Sequence, residues 1–273
     1  MKISEEECQI GELTDSNLAI ALRLLRESGY VILESVLPRN LVEELQTAFN
    51  QLLMPNNQLL MPNMENQQKD SNWNRRGGCH ALYGMPFMHP LVIENSLGLQ
   101  IIEEAMGKDI WTLLPYHTNT TFPGASMQHI HRDTQHLFPE LPYALPLTMI
   151  ILHIPLIDFN ESNGSTQVWP GTHLITDIDS DASQSGQLEE RAKSMPSART
   201  NIPAGSLVVR DMRVWHRGTP NRTQTVRTMT SIVYFRQLHR FPQHLTHLAS
   251  IPQAAVDLMS ERAQHLCHYN PIE

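Results

Sequence analysis

Nine consecutive residues concentrate side chains that bind metals. Residues 128–136 read QHIHRDTQH and hold three histidines and one aspartate, in a 273-residue chain with 14 histidines. Imidazole nitrogens and carboxylate oxygens are common ligands of transition metals. In a β-strand, residues two apart project from the same face, so a strand here would point His131 and Asp133 in one direction. Because an H-x-D pair recurs by chance, it indicates a metal site only together with a further ligand.

The segment RVWHRGTPN offers that ligand, His216, at the end of a later predicted strand. Two histidines and one carboxylate form a facial triad that leaves coordination positions open, as in non-haem Fe(II) oxygenases. A structural zinc site would instead close four ligands and would favour cysteine, but no cysteines cluster here. We therefore predict that His131, Asp133 and His216 bind a catalytic Fe(II). The alternative is a buried His–Asp hydrogen bond without a metal.

Arg227 is the predicted partner of a cosubstrate. If 2-oxoglutarate occupies two open iron positions, leaving one for O2, its far carboxylate needs a fixed cation, and the planar fork of arginine suits a carboxylate. Arg227 lies eleven residues after His216, beyond the turn RGTPNRTQTV. We expect an antiparallel hairpin to bring the two residues into one interior. The alternative for Arg227 is a structural salt bridge.

Helices are predicted in the first sixty residues. Apolar residues at helical spacing indicate a helix with Ser16 or Asn17 as its N-cap and Gly29 as its stop. A short strand and turn over residues 31–38 and a second helix over about 39–53 follow. These elements precede the segments that carry the predicted site.

From about Trp111 onwards, short apolar runs alternate with Pro, Gly, Asn and Asp, a pattern typical of a β-sandwich or barrel. A polar loop is predicted at 178–200 and an amphipathic helix at about 253–268. No linker is visible, so we predict one domain over residues 1–273: a helical part (about 1–110), a β-core (about 111–240) and the C-terminal helix. The predicted strands are 111–121, 126–133, 147–157, 165–169, 206–210, 213–216 and 226–236.

The heptapeptide NQLLMPN occurs twice without change, at residues 50–56 and 57–63. Two copies are too few for a solenoid. We interpret them as a duplication in a tolerant surface loop; the alternative is a Met-rich flap near a pocket mouth. Further along this loop, Arg75 and Arg76 are predicted to be a solvated pair, with contact to an acidic substrate as the alternative.

Composition limits the classes of function. A formal net charge of −8 argues against nucleic-acid binding, which requires cationic surface. No signal peptide is visible, and the longest apolar run, 147–157, is too short to span a bilayer. Cys8, Cys79 and Cys267 form no disulfide framework. We expect a soluble cytoplasmic protein that contacts neither nucleic acid nor membrane, and its composition is compatible with a homo-oligomer.

The chain resembles the phytanoyl-CoA dioxygenase family of Fe(II)/2-oxoglutarate oxygenases. The matching segments, in chain order, cover most of residues 18–236, and their motifs are most similar to the branch that oxidises natural products. They are ESGYVILESVLP, QHIHRD, NGSTQVWPGTH, AGSLVVRDMRVWHRGTPN and VRTMTSIVYF.

The resemblance implies a mainly β fold, a double-stranded β-helix (jelly-roll, cupin-like) core with flanking helices. It implies iron ligation by His131, Asp133 and His216 and a grip by Arg227 on the distal carboxylate of 2-oxoglutarate. Gln128 matches a glutamine that contacts the cosubstrate. A hydroxyl residue that helps to hold it is matched by Thr166. Since related halogenases carry Gly or Ala at the Asp133 position, hydroxylase-type chemistry is expected.

The function that follows is Fe(II)- and 2-oxoglutarate-dependent oxidation, by O2, of a C–H bond in a small-molecule metabolite. Hydroxylation, dealkylation and desaturation are all compatible with it. One alternative is an acyl-CoA 2-hydroxylase of the phytanoyl-CoA type, although no dense basic cluster for CoA phosphates is visible. Another is a non-catalytic jelly-roll protein that binds a metal or ligand, which would have no need of open iron positions.

Overall fold

The computed structural model describes residues 1–53, 75–177, 186–240 and 248–273. Within these ranges, no helix is long and apolar enough to cross a membrane. The duplicated NQLLMPN lies outside them beyond Leu53, so the surface-loop and flap predictions stay predictions.

Helices dominate the first hundred residues. The helix that begins at Asp15 is capped by Thr14, whose side chain accepts from the Asn17 backbone N–H, and not by Ser16 or Asn17 as predicted. It ends at Gly29, which adopts the left-handed conformation that favours glycine. In chain order the helices are α1 (Glu5–Ile10), α2 (Asp15–Ser28), α3 (Arg39–Leu53), α4 (Pro90–Ile93), α5 (Ser96–Met106), α6 (Gln187–Ala192), α7 (Gln253–Val256) and α8 (Glu261–Leu266).

The strands form two antiparallel sheets, and both are open. The major sheet has the order β1-β8-β5-β10-β4-β2, with β3 also paired to β10, and the minor sheet has the order β7-β6-β9. The strands are β1 (Tyr30–Leu33), β2 (Arg76–Gly77), β3 (Ile110–Thr112), β4 (His117–Thr121), β5 (Met149–Pro155), β6 (Gln167–Val168), β7 (Ala198–Arg199), β8 (Leu207–Asp211), β9 (His216–Arg217) and β10 (Arg227–Arg236).

The two faces of the major sheet have different roles. On β5, Ile150, Leu152 and Ile154 belong to the main hydrophobic core with residues of the helices. The alternate residues Ile151 and His153 line a cavity on the other face. This period of two is the geometry of a strand buried on both sides. The helices therefore support one face of the sheet, and the other face is available for a site.

The connection from His216 to Arg227 crosses between the sheets. His216 lies in minor-sheet strand β9 and Arg227 in major-sheet strand β10. The predicted antiparallel hairpin is therefore wrong, because each strand pairs with partners distant in sequence. The two residues nevertheless line the same cavity, from opposite walls.

Three other local predictions were inaccurate. Residues 126–133 form no regular strand; an isolated β-bridge joins His131 to His216. The described part of the 178–200 loop contains α6 and β7. The predicted helix at 253–268 is two short helices, α7 and α8, and Ser260 caps the second.

Candidate active site

His131, Asp133 and His216 come together in the structure. Their ligand atoms all lie within 4.8 Å of one another. Asp133 Oδ1 is 3.5 Å from His216 Nε2 and 3.9 Å from His131 Nε2. Three donor atoms around one point, two nitrogens and one oxygen, are the donor set of a facial triad.

Backbone pairing of the 128–133 segment positions the cluster. The N–H groups of Gln128, His131 and Asp133 donate to carbonyls of Gly218, His216 and Met212 respectively. His216 N–H also donates to His131 O at 2.9 Å. The extended segment thus runs beside the chain around β9, which explains how an H-x-D pair meets a histidine more than eighty residues later.

Hydrogen bonds at the far ring nitrogens favour the tautomer that a metal requires. His131 Nδ1 lies 2.9 Å from His129 O, and His216 Nδ1 lies 3.0 Å from Val214 O. Donation from Nδ1 to a carbonyl leaves the Nε2 lone pair free for a metal. Arg210 Nη1 also approaches His216 Nδ1, at 3.2 Å. Since a donor cannot bond to a protonated Nδ1, we assign that proton to the shorter carbonyl contact.

Charge at the cluster keeps the aspartate ionised. Burial raises the pKa of the Asp133 carboxyl, but its interactions with His216, Arg210 and His131, which include the charge-assisted hydrogen bond from Arg210, outweigh burial and hold this pKa well below its ordinary value. Burial, followed by the charge of Arg210, lowers the pKa of His216 well below its ordinary value. An anionic carboxylate beside neutral imidazole is the ligand state that a divalent cation needs.

A cavity of about 350 Å³ extends from the cluster between the two sheets. Arg227 lines it and is 2% exposed. Its guanidinium lies 4.5 Å from the Phe159 ring centroid and donates from Nη2 to Thr121 Oγ1, while its buried Nε has no partner. Within the described residues, no carboxylate forms an ion pair with Arg227.

Burial, with the nearby charges of Arg76 and Arg199, lowers the pKa of Arg227 to about 9, so it stays charged near neutral pH. The unpartnered Nε and the lack of a counter-ion are what a carboxylate ligand would satisfy. The salt-bridge alternative for Arg227 therefore has no partner in this part of the chain.

Arg76 is a site residue that the sequence reasoning missed. It was predicted to be solvated, but it is 4% exposed and lines the cavity. Its Nη1 donates to Thr121 Oγ1 at 2.7 Å, so Arg76 and Arg227 share one threonine, and its Nη2 donates to Thr219 O at 2.8 Å. Burial lowers the pKa of Arg76 to about 10. The only sequence signal was its position next to Gly77 and Gly78, which allow a close backbone approach.

Gln128 and Thr166 also line the cavity. Gln128 Oε1 accepts from Gly218 N–H at 2.8 Å, which fixes the side chain and leaves its NH2 group for other contacts. A side chain on Gly218 would meet Arg76 Nη1 at 2.4 Å and Gln128 Oε1 at 2.5 Å. The glycine is therefore required for the close packing at this wall.

Three further histidines of the described residues lie outside the metal cluster. His153 is buried on β5, and its Nδ1 is 2.9 Å from Ser231 Oγ, as expected for a satisfied core histidine. The His129 side chain is 60% exposed and points away from the cluster, 3.7 Å from Glu189. His136 is buried, and its Nε2 lies 2.8 Å from Ile175 O.

Comparison with known families decides the relationship. The model of the family described as phytanoyl-CoA dioxygenase (PhyH) matches residues 25–229. The chain belongs to this family. The resemblance based on the motifs is thus confirmed, and the matched range contains the metal cluster and Arg227.

Two curated proteins are similar to this chain at low sequence identity but over most of its length. The chain is 26% identical to the multifunctional dioxygenase ausE of Penicillium brasilianum over 88% of its length and 78% of that protein. It is 24% identical to the iron/alpha-ketoglutarate-dependent dioxygenase ausU of Aspergillus calidoustus, over 81% of this chain and 71% of that one.

Solved structures confirm the predicted fold class. One similar structure is the alpha-ketoglutarate-dependent epimerase SnoN from nogalamycin biosynthesis, in its complex with Fe3+, alpha ketoglutarate and nogalamycin RO. It matches with a TM-score of 0.60 and 20% identity, over 81% of this chain and 84% of that chain. AviO1 from Streptomyces viridochromogenes Tue57 matches with a TM-score of 0.61 and 20% identity, over 84% and 99% of the two chains. The PhyH-family fold here is mainly β with flanking helices, a jelly-roll core with open sheets.

Proposed function

We propose that this PhyH-family protein is an Fe(II)- and 2-oxoglutarate-dependent dioxygenase that oxidises a C–H bond of a small-molecule metabolite, in natural-product biosynthesis. One observation carries the proposal: the cavity has a cluster of three metal-type donors on one wall and, on another, the buried Arg227, which forms no ion pair with a carboxylate of the described residues. The names of ausU and of the SnoN complex support the pairing of iron with this cosubstrate.

Each residue has a proposed part. His131, Asp133 and His216 would hold Fe(II), and Arg227 would bind the distal carboxylate of 2-oxoglutarate. Gln128 and Thr166 would contact the cosubstrate from the cavity wall. When bound, iron and 2-oxoglutarate supply the oxidation: O2 is reduced, 2-oxoglutarate becomes succinate and CO2, and the substrate C–H bond is oxidised.

The protein contributes orientation and charge. Arg76 fixes Thr121 and adds a second positive charge near Arg227, so an anion is attracted to this end of the cavity. The carbonyls of His129 and Val214 fix the tautomers of the two histidines. Enclosure of the Arg227 end between the sheets excludes water, which strengthens these charge-assisted contacts.

We propose further that residues 1–273 act as one domain in the reducing cytoplasm. The three cysteines are free, which supports a reducing compartment. The acyl-CoA alternative has less support, because the buried arginines of the described cavity lining are engaged inside the protein and not at a surface suited to CoA phosphates. A non-catalytic binding protein would have no use for the open triad.

Succinate formation from 2-oxoglutarate tests the proposal, and mixtures of small metabolites can be supplied where the substrate is not known. We expect Fe(II)- and O2-dependent succinate formation by the wild type and its loss in His131→Ala. His129→Ala is the matched control, because that side chain is exposed two residues away and its carbonyl is kept. Equal succinate formation by wild type and His131→Ala would contradict the metal assignment.

A further inference from the structure

Arg210 is a buried cation that directly follows the apolar residues of strand β8. Every residue of β8 (LVVRD) is buried, and the Arg210 side chain is only 4% exposed. Arginine is rarely buried without a specific partner, because its charge must be compensated. The residue that compensates the charge of Arg210 therefore indicates the role of Arg210.

That partner is Asp133. Arg210 Nη2 donates to Asp133 Oδ2 at 2.5 Å, a short charge-assisted hydrogen bond between the sheets. The adjacent acid, Asp211, is paired with Arg213 at 2.6 Å instead. Within the described ranges, Asp133 is the one carboxylate that forms an ion pair with Arg210.

The two oxygens of Asp133 consequently have different environments. Oδ2 is held by Arg210, whereas Oδ1 lies 3.5 Å from His216 Nε2 and 3.9 Å from His131 Nε2. A carboxylate can bind a metal through one oxygen or through both. With Oδ2 occupied by a guanidinium, only Oδ1 is available beside the two imidazole nitrogens.

We infer that Arg210 is a positioning residue that restricts Asp133 to one-oxygen ligation of the metal and so keeps three coordination positions open. The inference rests on the proposed function. Its consequence is that 2-oxoglutarate, which would need two of those positions, binds well only while Oδ2 is held away. Removing Arg210 should therefore weaken cosubstrate binding, although Arg210 is not the residue proposed to grip the cosubstrate.

Co(II) is a suitable probe, because its visible absorption bands report coordination number and need no turnover. Purified full-length protein, stripped of metal and loaded with Co(II), would be titrated with 2-oxoglutarate. Arg210→Met removes the charge and the hydrogen-bond donors but keeps an unbranched side chain. Arg210→Lys keeps the positive charge. Arg222→Met is the matched control, because Arg222 is exposed. Circular dichroism would verify that each variant is folded.

We expect Arg210→Met to change the Co(II) bands before any 2-oxoglutarate is added and to raise the Kd for 2-oxoglutarate roughly tenfold, the effect of one lost charge-assisted hydrogen bond. Arg210→Lys should recover part of the affinity, because an ammonium can still reach one carboxylate oxygen. Arg222→Met should match the wild type in both measurements.

Two results would overturn the inference. One is a folded Arg210→Met with wild-type bands and a wild-type Kd. The other is an Arg210→Lys Kd equal to that of Arg210→Met, which would assign the effect to lost packing. If Arg210→Met does not fold, Arg210→Leu, which also lacks charge and donors, takes its place, and wild-type bands and a wild-type Kd in that folded variant contradict the inference in the same way. Failure of the wild type itself to bind Co(II) and 2-oxoglutarate would instead contradict the proposed function.

Discussion

The two ends of the cavity balance charge in opposite ways. At the metal end, the Asp133 carboxylate already has a cationic partner, Arg210, and two imidazoles beside it. At the other end, the guanidiniums of Arg76 and Arg227 meet at one neutral threonine. One end therefore has its donor atoms arranged around a common point, and the other brings two guanidiniums together.

This difference indicates which ligand each end receives. Lone pairs around a point suit a cation, and a buried guanidinium with an unpartnered Nε, such as that of Arg227, suits an anion. A molecule with a metal-chelating group at one end and a carboxylate at the other would satisfy both ends at once. 2-Oxoglutarate has this structure, which is why the comparison supports it as the cosubstrate.

The largest effect is expected from removing a metal ligand. His216→Ala should lower Fe(II)-dependent succinate formation by more than about a hundredfold, since even partners of metal ligands are worth ten- to a hundredfold. Co(II) binding, followed by absorption, should weaken in parallel. The exposed His268 provides a control, as His268→Ala should match the wild type. Retained activity in a folded His216→Ala would show that His216 is not a metal ligand.

Asp133→Gly tests the metal end in a different way. It removes the proposed carboxylate ligand, which opens a further coordination position on the metal, and leaves both histidines in place. Succinate formation should again collapse, and trace halogenation with added chloride is not expected. The variant also leaves Arg210 without its carboxylate, so the melting temperature should fall unless the new space admits an anion. Near wild-type succinate formation would show that Asp133 is not a ligand.

Arg227 variants test the anion-binding end of the cavity. They should affect the KM for 2-oxoglutarate more than the KM for the organic substrate. Arg227→Lys keeps the charge but loses the planar contact, so we expect the KM for 2-oxoglutarate to rise about tenfold to a hundredfold. Arg227→Ala should raise it further. Arg222→Lys is the matched control on the preceding exposed turn. An unchanged KM for 2-oxoglutarate in a folded Arg227→Ala would show that Arg227 does not bind the distal carboxylate of the cosubstrate.

The smallest effect concerns His153, which lies between the ends. Burial and then the charge of Arg210 lower its pKa to about 3, although Asp133 opposes this. Between about pH 3 and 6.5 the unfolded chain binds a proton there and the folded protein does not, so the free energy of unfolding falls as pH falls. His153→Gln should reduce this slope by about 1.4 kcal/mol per pH unit near pH 5, measured by urea unfolding. An unchanged slope would contradict the buried neutral state.

Sequence reasoning selected residues that the structure brings around one cavity. The H-x-D pair, His216 and Arg227 were recognisable from residue type, spacing and the order of the family motifs. Helix α2 was predictable from its apolar spacing and Gly29, which are local signals. Those predictions needed no knowledge of long-range pairing.

Residues whose role depends on tertiary contacts were not predictable. Arg76 and Arg227 meet at Thr121, which is separated from them by 45 and 106 residues. Arg210 finds Asp133 across 77 residues. No local pattern encodes such pairings, and for the same reason His216 and Arg227 were placed on one hairpin although they belong to different sheets. The position of Arg210 in a strand that is buried throughout was the available signal, and it did not reveal the partner.

The central claim is that one molecule of 2-oxoglutarate spans both ends of the cavity. Isothermal titration of 2-oxoglutarate into wild-type protein, with and without Co(II), measures this directly, because linkage requires each ligand to change the affinity for the other by the same factor. We predict at least about tenfold tighter 2-oxoglutarate binding with Co(II) present, and loss of most of that gain for glutarate, which lacks the keto oxygen. Equal affinities with and without Co(II) would contradict the account.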